Sequence, residues 1–173
     1  MNRKFKTLII VVLMVVIGMW VLSYIPFNHR INREIEAQIY ENGHAVSETK
    51  VCIDGEKSSY LFRGKDSFYG RFHISSFEKS GRSGNNALIS WNLSKFNIQE
   101  IIYNHHYRRF PSVETIGAIL INEEMTDFAL MLTDGSVIAT SDELCRLYTN
   151  HISYDSDTGS THYTAADDIP IIE

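Results

Sequence analysis

VCIDGEKSSYLFRGKDSFYGRFHI, residues 51–74, sets the period of the chain. In its last third Phe68, Gly70, Phe72 and Ile74 alternate with Tyr69, Arg71 and His73. A period of two is the mark of a strand with one face buried. Upstream, Asp54-Gly55 between residues 49–53 and 58–63 reads as a hairpin turn, and Gly64-Lys65-Asp66 as a second turn.

Working outward, the polar, glycine-containing segment EKSGRSGNN (78–86) reads as a loop, and Ala87, Ile89, Trp91 and Leu93 resume the alternation. Residues 98–103 suit either strand or helix, and Pro111 breaks the chain before the apolar run 113–122. Phe128, Leu130 and Leu132 alternate, and Asp134-Gly135 turns into 137–140. Ser141 followed by Asp142 and Glu143 is a helix start: a hydroxyl cap, then acids beside the positive helix end. That helix is expected to reach about Asn150 with Leu144, Leu147 and Tyr148 facing inward. The expected class is mainly β (α+β), with residues 44–153 forming an antiparallel sheet or sandwich and a short C-terminal helix. Residues 154–173 are acidic, rich in Ser, Thr and Asp and aperiodic, and read as a disordered tail.

Toward the N-terminus, TLIIVVLMVVIGMWVLSYIPF (7–27) carries no charge and follows Arg3, Lys4 and Lys6. About 20 apolar residues match the hydrocarbon thickness of a bilayer, so residues 1–27 read as an uncleaved signal anchor and transmembrane helix. Cleavage after a signal peptide is the alternative; Val21-Leu22-Ser23 offers a tolerable site. Basic residues before the run slightly outnumber Arg30 and Arg33 after it, which favours a cytoplasmic N-terminus and an extracytoplasmic domain at the cell membrane. In 28–43, Ile31, Ile35 and Ile39 recur every four residues among Arg and Glu, which suggests an amphipathic stalk helix ended by Asn42-Gly43.

The net charge of −5 is unevenly spread. Residues 1–33 hold five basic side chains and no acid, whereas 141–173 hold seven acids against Arg146. A weakly acidic body lacks the basic footprint that nucleic acid demands. The two cysteines, Cys52 and Cys145, exclude a zinc site built on CxxC pairs. In an extracytoplasmic domain they could form one disulfide or stay separate as small buried side chains.

The candidates for chemistry are weak. Asn104-His105-His106-Tyr107 is the densest polar cluster, but adjacent histidines on a strand point to opposite faces. A metal would need His73 or His44 to converge with one of them. Asp155-Ser156-Asp157-Thr158-Gly159 starts like a calcium loop, yet its glycine comes one position early and no twelfth-position Glu follows. There is no Gly-x-Ser-x-Gly and no phosphate-cradling glycine loop. The expectation is therefore no enzyme, no cofactor, no metal and no catalytic residue. Tyr69, Trp91, Tyr103 and Tyr107 are the partner-binding candidates: any that point outward could form a protein-binding patch, while packing in the core or in cross-strand pairs is the more ordinary place for such aromatics.

The "IDG…YLF…F.G.F.I" pattern of residues 51–74, with the basic lead and single apolar run, resembles small single-pass membrane proteins of Gram-positive bacteria. The resemblance rests on turn glycines and inward aromatics and implies no activity. Together these features lead to the expectation of a membrane-anchored protein presenting a small β-rich domain to a membrane or envelope protein, with the lipid bilayer as its other partner. A tethered hydrolase using His73, His105 or His106, and an accessory subunit of a membrane complex, are the alternatives.

Overall fold

The computed structural model describes residues 3–61, 66–91, 98–107, 110–132, 134–155 and 160–163. A first helix, α1 (Arg3–Leu22), precedes eight strands: β1 (Pro26–Glu41), β2 (His44–Tyr60), β3 (Ser67–Ile74), β4 (Asn85–Ser90), β5 (Ile98–Tyr107), β6 (Phe110–Ile121), β7 (Phe128–Met131) and β8 (Val137–Ala139). Each pairs antiparallel with the next, and β8 returns to β1, so the sheet closes into a barrel. Helix α2 (Asp142–His151) follows, then a two-stranded hairpin of β9 (Ile152–Asp155) and β10 (Ser160–Tyr163).

Five expectations change. The expected sheet or sandwich is a closed barrel, which removes most edges by joining first strand to last. The stalk helix of 28–43 is strand β1, because a spacing of four is also an even multiple of two. Ile31, Ile35 and Ile39 share one strand face as readily as one helix face. Asn42-Gly43 is the hairpin turn instead: both residues have positive φ (50° and 78°), as a two-residue primed turn requires, and Glu41 pairs with His44. Asp54-Gly55, read as a turn, lies inside β2, where Asp54 pairs with Asn32 and Gly55 with Ile31. Of the segment expected to be disordered, 154–155 and 160–163 pair in the hairpin, and 164–173 lie outside the described residues.

The fifth change concerns the membrane. Among the described residues no helix is long and apolar enough to cross one. That overturns the transmembrane anchor of 1–27 and the single-pass cell-membrane topology built on it. The apolar count runs to Phe27, but the helix stops at Leu22: Ser23 Oγ donates to the Trp20 carbonyl at 2.7 Å, and Pro26 opens β1. Thr7 to Leu22 then rise about 24 Å, against about 30 Å of hydrocarbon. Side chains from Leu8 to Leu22 are exposed on every face of α1, and Trp20 and Tyr24 meet edge to face at 5.0 Å.

The barrel interior is filled. Odd-numbered residues of β2 (Thr49, Val51, Ile53, Lys57) point in and even-numbered ones out. Phe68, Phe72 and Phe128 occupy the centre, Phe72 and Phe128 edge to face at 5.6 Å. Eight strands leave just enough width for side chains, so the interior is a core. A second apolar layer lies outside, where α2 covers the outer faces of β6–β8: Leu144, Cys145 and Tyr148 pack on Leu120, Val137 and Ala139. Ser141 caps α2, its Oγ accepting from Leu144 N.

Tyr103 belongs to this core; only 1% exposed, it donates its hydroxyl proton to the Phe72 carbonyl. Burial holds its phenol well above the usual tyrosine range. A folded-state value raised above the unfolded one means that stability is intact below pH about 10 and drains away above it, as the unfolded chain ionises first. The melting temperature is therefore expected to hold from neutral pH to about pH 9.5 and fall beyond it. A Tyr103→Phe chain, measured by circular dichroism, should start lower and fall less steeply.

Candidate functional site

The closure between β1 and β8 is short. β8 pairs with β1 only through Gln38–Ala139, Ile39–Ile138 and Tyr40–Val137, then the chain leaves at Ser141 to form α2. Residues 26–37 of β1 are paired on one side with β2; among the described residues no strand pairs with them on the other. The barrel thus has a lateral seam along about three-quarters of its first strand.

The direction of the backbone groups at that seam follows from one hydrogen bond. Lys50 accepts at its carbonyl from Ser75 N at 2.9 Å, so Lys50 turns its backbone toward β3 and away from β1. Antiparallel pairs alternate, so the even residues of β2 bond toward β3 and the odd ones toward β1. In the β1 register Asn28, Arg30, Asn32, Glu34 and Glu36 face those even residues. Their N–H and C=O groups therefore point into the seam, while their side chains lie on the solvent face, all exposed.

Two clefts flank this edge. One, of about 470 Å³, runs between residues 29–33 and the β6–β7 turn at Glu123 and Glu124, with buried Lys57. The other, of about 600 Å³, lies at the far end between residues 36–38 and 48–50, with Ser75, Ser76 and Thr140. Lys57 is committed to closing the barrel end: its Nζ donates to the Glu123 carbonyl at 2.8 Å and sits 3.4 Å from Asp66 Oδ2 and 5.1 Å from the centre of the Trp91 ring. Ser59 Oγ and Trp91 N hold Asp66 in place. On the outer face, Arg30 bridges to Asp54 (3.2 Å) and Lys50 to Glu34 (2.7 Å), exposed pairs of little individual weight.

The expected site residues scatter. Tyr69 is exposed on β3, its hydroxyl accepting from Asn86 Nδ2 at 3.1 Å. Trp91 is half-buried over Lys57, and Tyr103 is inside the barrel, which removes it as a surface contact. The Tyr107, His105 and His106 side chains lie outside the described residues, as does the 156–159 stretch of the calcium-like loop. His73 is half-buried with its ring against Gly81, and His44 is exposed beside the β1–β2 turn. Among the described residues no three His, Cys, Asp or Glu side chains are placed to hold a metal. Cys52 and Cys145 are free thiols: Cys52 stands on β2 between Glu34 and His73, and Cys145 lies on the buried face of α2. Burial raises the Cys145 thiol above its ordinary range, with Asp142 adding to the shift.

A small antiparallel β-barrel with a packed interior and an open first-strand edge is the class that fold and site define. No protein-family model matches the chain, nor does any curated protein or solved structure.

Proposed function

We propose that this protein is a non-catalytic binding module whose working surface is the open edge of β1, which takes up an extended polypeptide strand. The observation that carries the reading is the run of five alternate residues, Asn28 to Glu36, whose backbone groups point into the seam without a described strand opposite. Main-chain hydrogen bonds would supply affinity, and the two clefts would receive alternate side chains of the added strand. The packed barrel centre supports this over a small-molecule carrier, which keeps its ligand inside.

Proline at position 32 separates edge from fold. The Asn32 N–H faces the seam, so Asn32→Pro removes no bond to β2 and is expected to cost less than about 1 kcal/mol, as for proline on an edge strand. Ile31→Pro removes a donor of the β1–β2 ladder and leaves its acceptor on β2 unpaired, which is expected to cost about 1 to 3 kcal/mol. Panning a displayed peptide library against the protein should recover extended, alternating sequences, and Asn32→Pro should abolish their capture while the melting curve barely moves. Peptides that bind the Asn32→Pro chain equally well would rule out the edge.

A further inference from the structure

We infer that the strand seated on this edge is β1 of a second copy of the chain, paired antiparallel about a two-fold axis through Asn32. This rests on the edge reading above and names its occupant. Because only even residues direct their backbone groups outward, a β1–β1 ladder must set even residues against even ones. Centred on Asn32, it places Asn28 opposite Glu36, Arg30 opposite Glu34 and Asn32 opposite itself, all on the solvent face. The other face sets Ile31 against Arg33 and His29 against Ile35. Opposite charges face each other twice and like charges never, which favours this pairing.

The neighbouring two-fold registers are worse. Centring on Arg30, Arg33 or Glu34 opposes that charge with its own copy, and centring on Ile31 loses both Arg30–Glu34 pairs. In the Asn32 register each copy contributes five edge residues, giving about ten ladder hydrogen bonds. Residues 28–37 contain no proline, glycine or lysine, and the first irregularity of β1 comes at Ile39/Tyr40, so neither a missing donor nor a bulge interrupts the edge.

The test uses the full chain in a mild detergent that covers α1, with oligomeric state read by sedimentation velocity over a concentration series. A concentration-dependent dimer is expected. Arg30→Glu sets its new carboxylate against Glu34 of the other copy, twice across the axis. Glu34→Arg likewise sets its new guanidinium against Arg30, so each variant alone should dimerise about tenfold more weakly. Mixed together, the two variants oppose acid to base at both positions and should recover the wild-type constant. Any clash of the new side chains with Asp54 or Lys50 is the same in the mixture, so recovery reports the interface and not the fold. In a Cys52→Ser background, Asn32→Cys should crosslink to itself on mild oxidation, since opposed Cα atoms in such a pair lie about 5.5 Å apart. Asn28→Cys should crosslink only when mixed with Glu36→Cys. A chain that stays monomeric overturns the inference, as does a dimer that ignores Arg30→Glu and leaves the Asn32→Cys variant unlinked. If peptide capture still fails with Asn32→Pro in that case, the edge stands and only its occupant is another strand.

Discussion

Replacing Gly70 with alanine is expected to destabilise the barrel by about 3 kcal/mol, a drop of roughly 10 °C in melting temperature. Gly70 on β3 stands directly opposite Gly55 on β2, on the inward face between Phe68 and Phe72. A Cβ at Gly70 would come within 2.4 Å of Gly55 Cα and 2.5 Å of the Asp54 carbonyl oxygen. Both are backbone atoms, so no rotamer change relieves the overlap; β2 and β3 must separate. Gly55→Ala meets the same obstacle, with the Tyr69 carbonyl at 2.5 Å and the Phe68 ring at 2.8 Å. Since either substitution forces the same separation, the double variant should cost clearly less than the sum of the singles. Gly135→Ala is the control: its φ of +85° is strained for alanine, but nothing lies within 4 Å, so about 1 kcal/mol is expected. Thermal melts of the four chains decide it. A Gly70→Ala loss no larger than that of Gly135→Ala would mean that the two strands are not in close approach.

Much of the barrel wall is legible in the residues. Phe68, Gly70, Phe72 and Ile74 announce one face of β3, and Ser141 with its acids announces α2, because both signals are local. Other features escape for physical reasons. Period four fits helix and strand alike, so Ile31, Ile35 and Ile39 cannot decide β1; the Asn-Gly at 42–43, a stronger hairpin signal than Asp54-Gly55, could have. Gly55 imitates a turn residue because a backbone that needs room inside a barrel and one that must reverse both select glycine. The end of α1 turns on five residues, 23–27, that are apolar enough to extend a hydropathy count but not helical. Barrel closure rests on three residue pairs between β1 and β8, and nothing local in Val137-Ile138-Ala139 names its partner. The seam follows from where that pairing stops, so the candidate site is invisible until the topology is known. Tyr103, a partner-binding candidate only if it pointed outward, lies inside, and Ile101 two residues earlier shares its buried face.

Tyr148 anchors α2 over the strands beside that seam, and its loss is expected to be the most damaging single change in the second apolar layer. Its hydroxyl donates to the Ala118 carbonyl at 2.5 Å and accepts from Met131 N at 3.2 Å, tying α2 to β6 and β7 at once. The residue is 1% exposed, so Tyr148→Phe removes two buried hydrogen bonds beneath the helix, for about 2 kcal/mol. Tyr148→Ala adds a ring-sized cavity and should cost about 4 to 5 kcal/mol. Hydrogen exchange separates local from global loss. If α2 is a cover held by this residue, Tyr148→Ala should deprotect α2 and the three residues of β8 before β2 and β3, whose ladder lies on the far wall. Uncovering Val137 and Ala139 would wet the outer face of β8, the one strand that closes the barrel onto β1, and the open edge would lengthen from residue 37 toward 40. Peptide capture or self-pairing at β1 should then strengthen or shift register in Tyr148→Ala while the barrel remains folded. Uniform exchange across all strands would instead make α2 part of one cooperative unit, with the seam fixed in length.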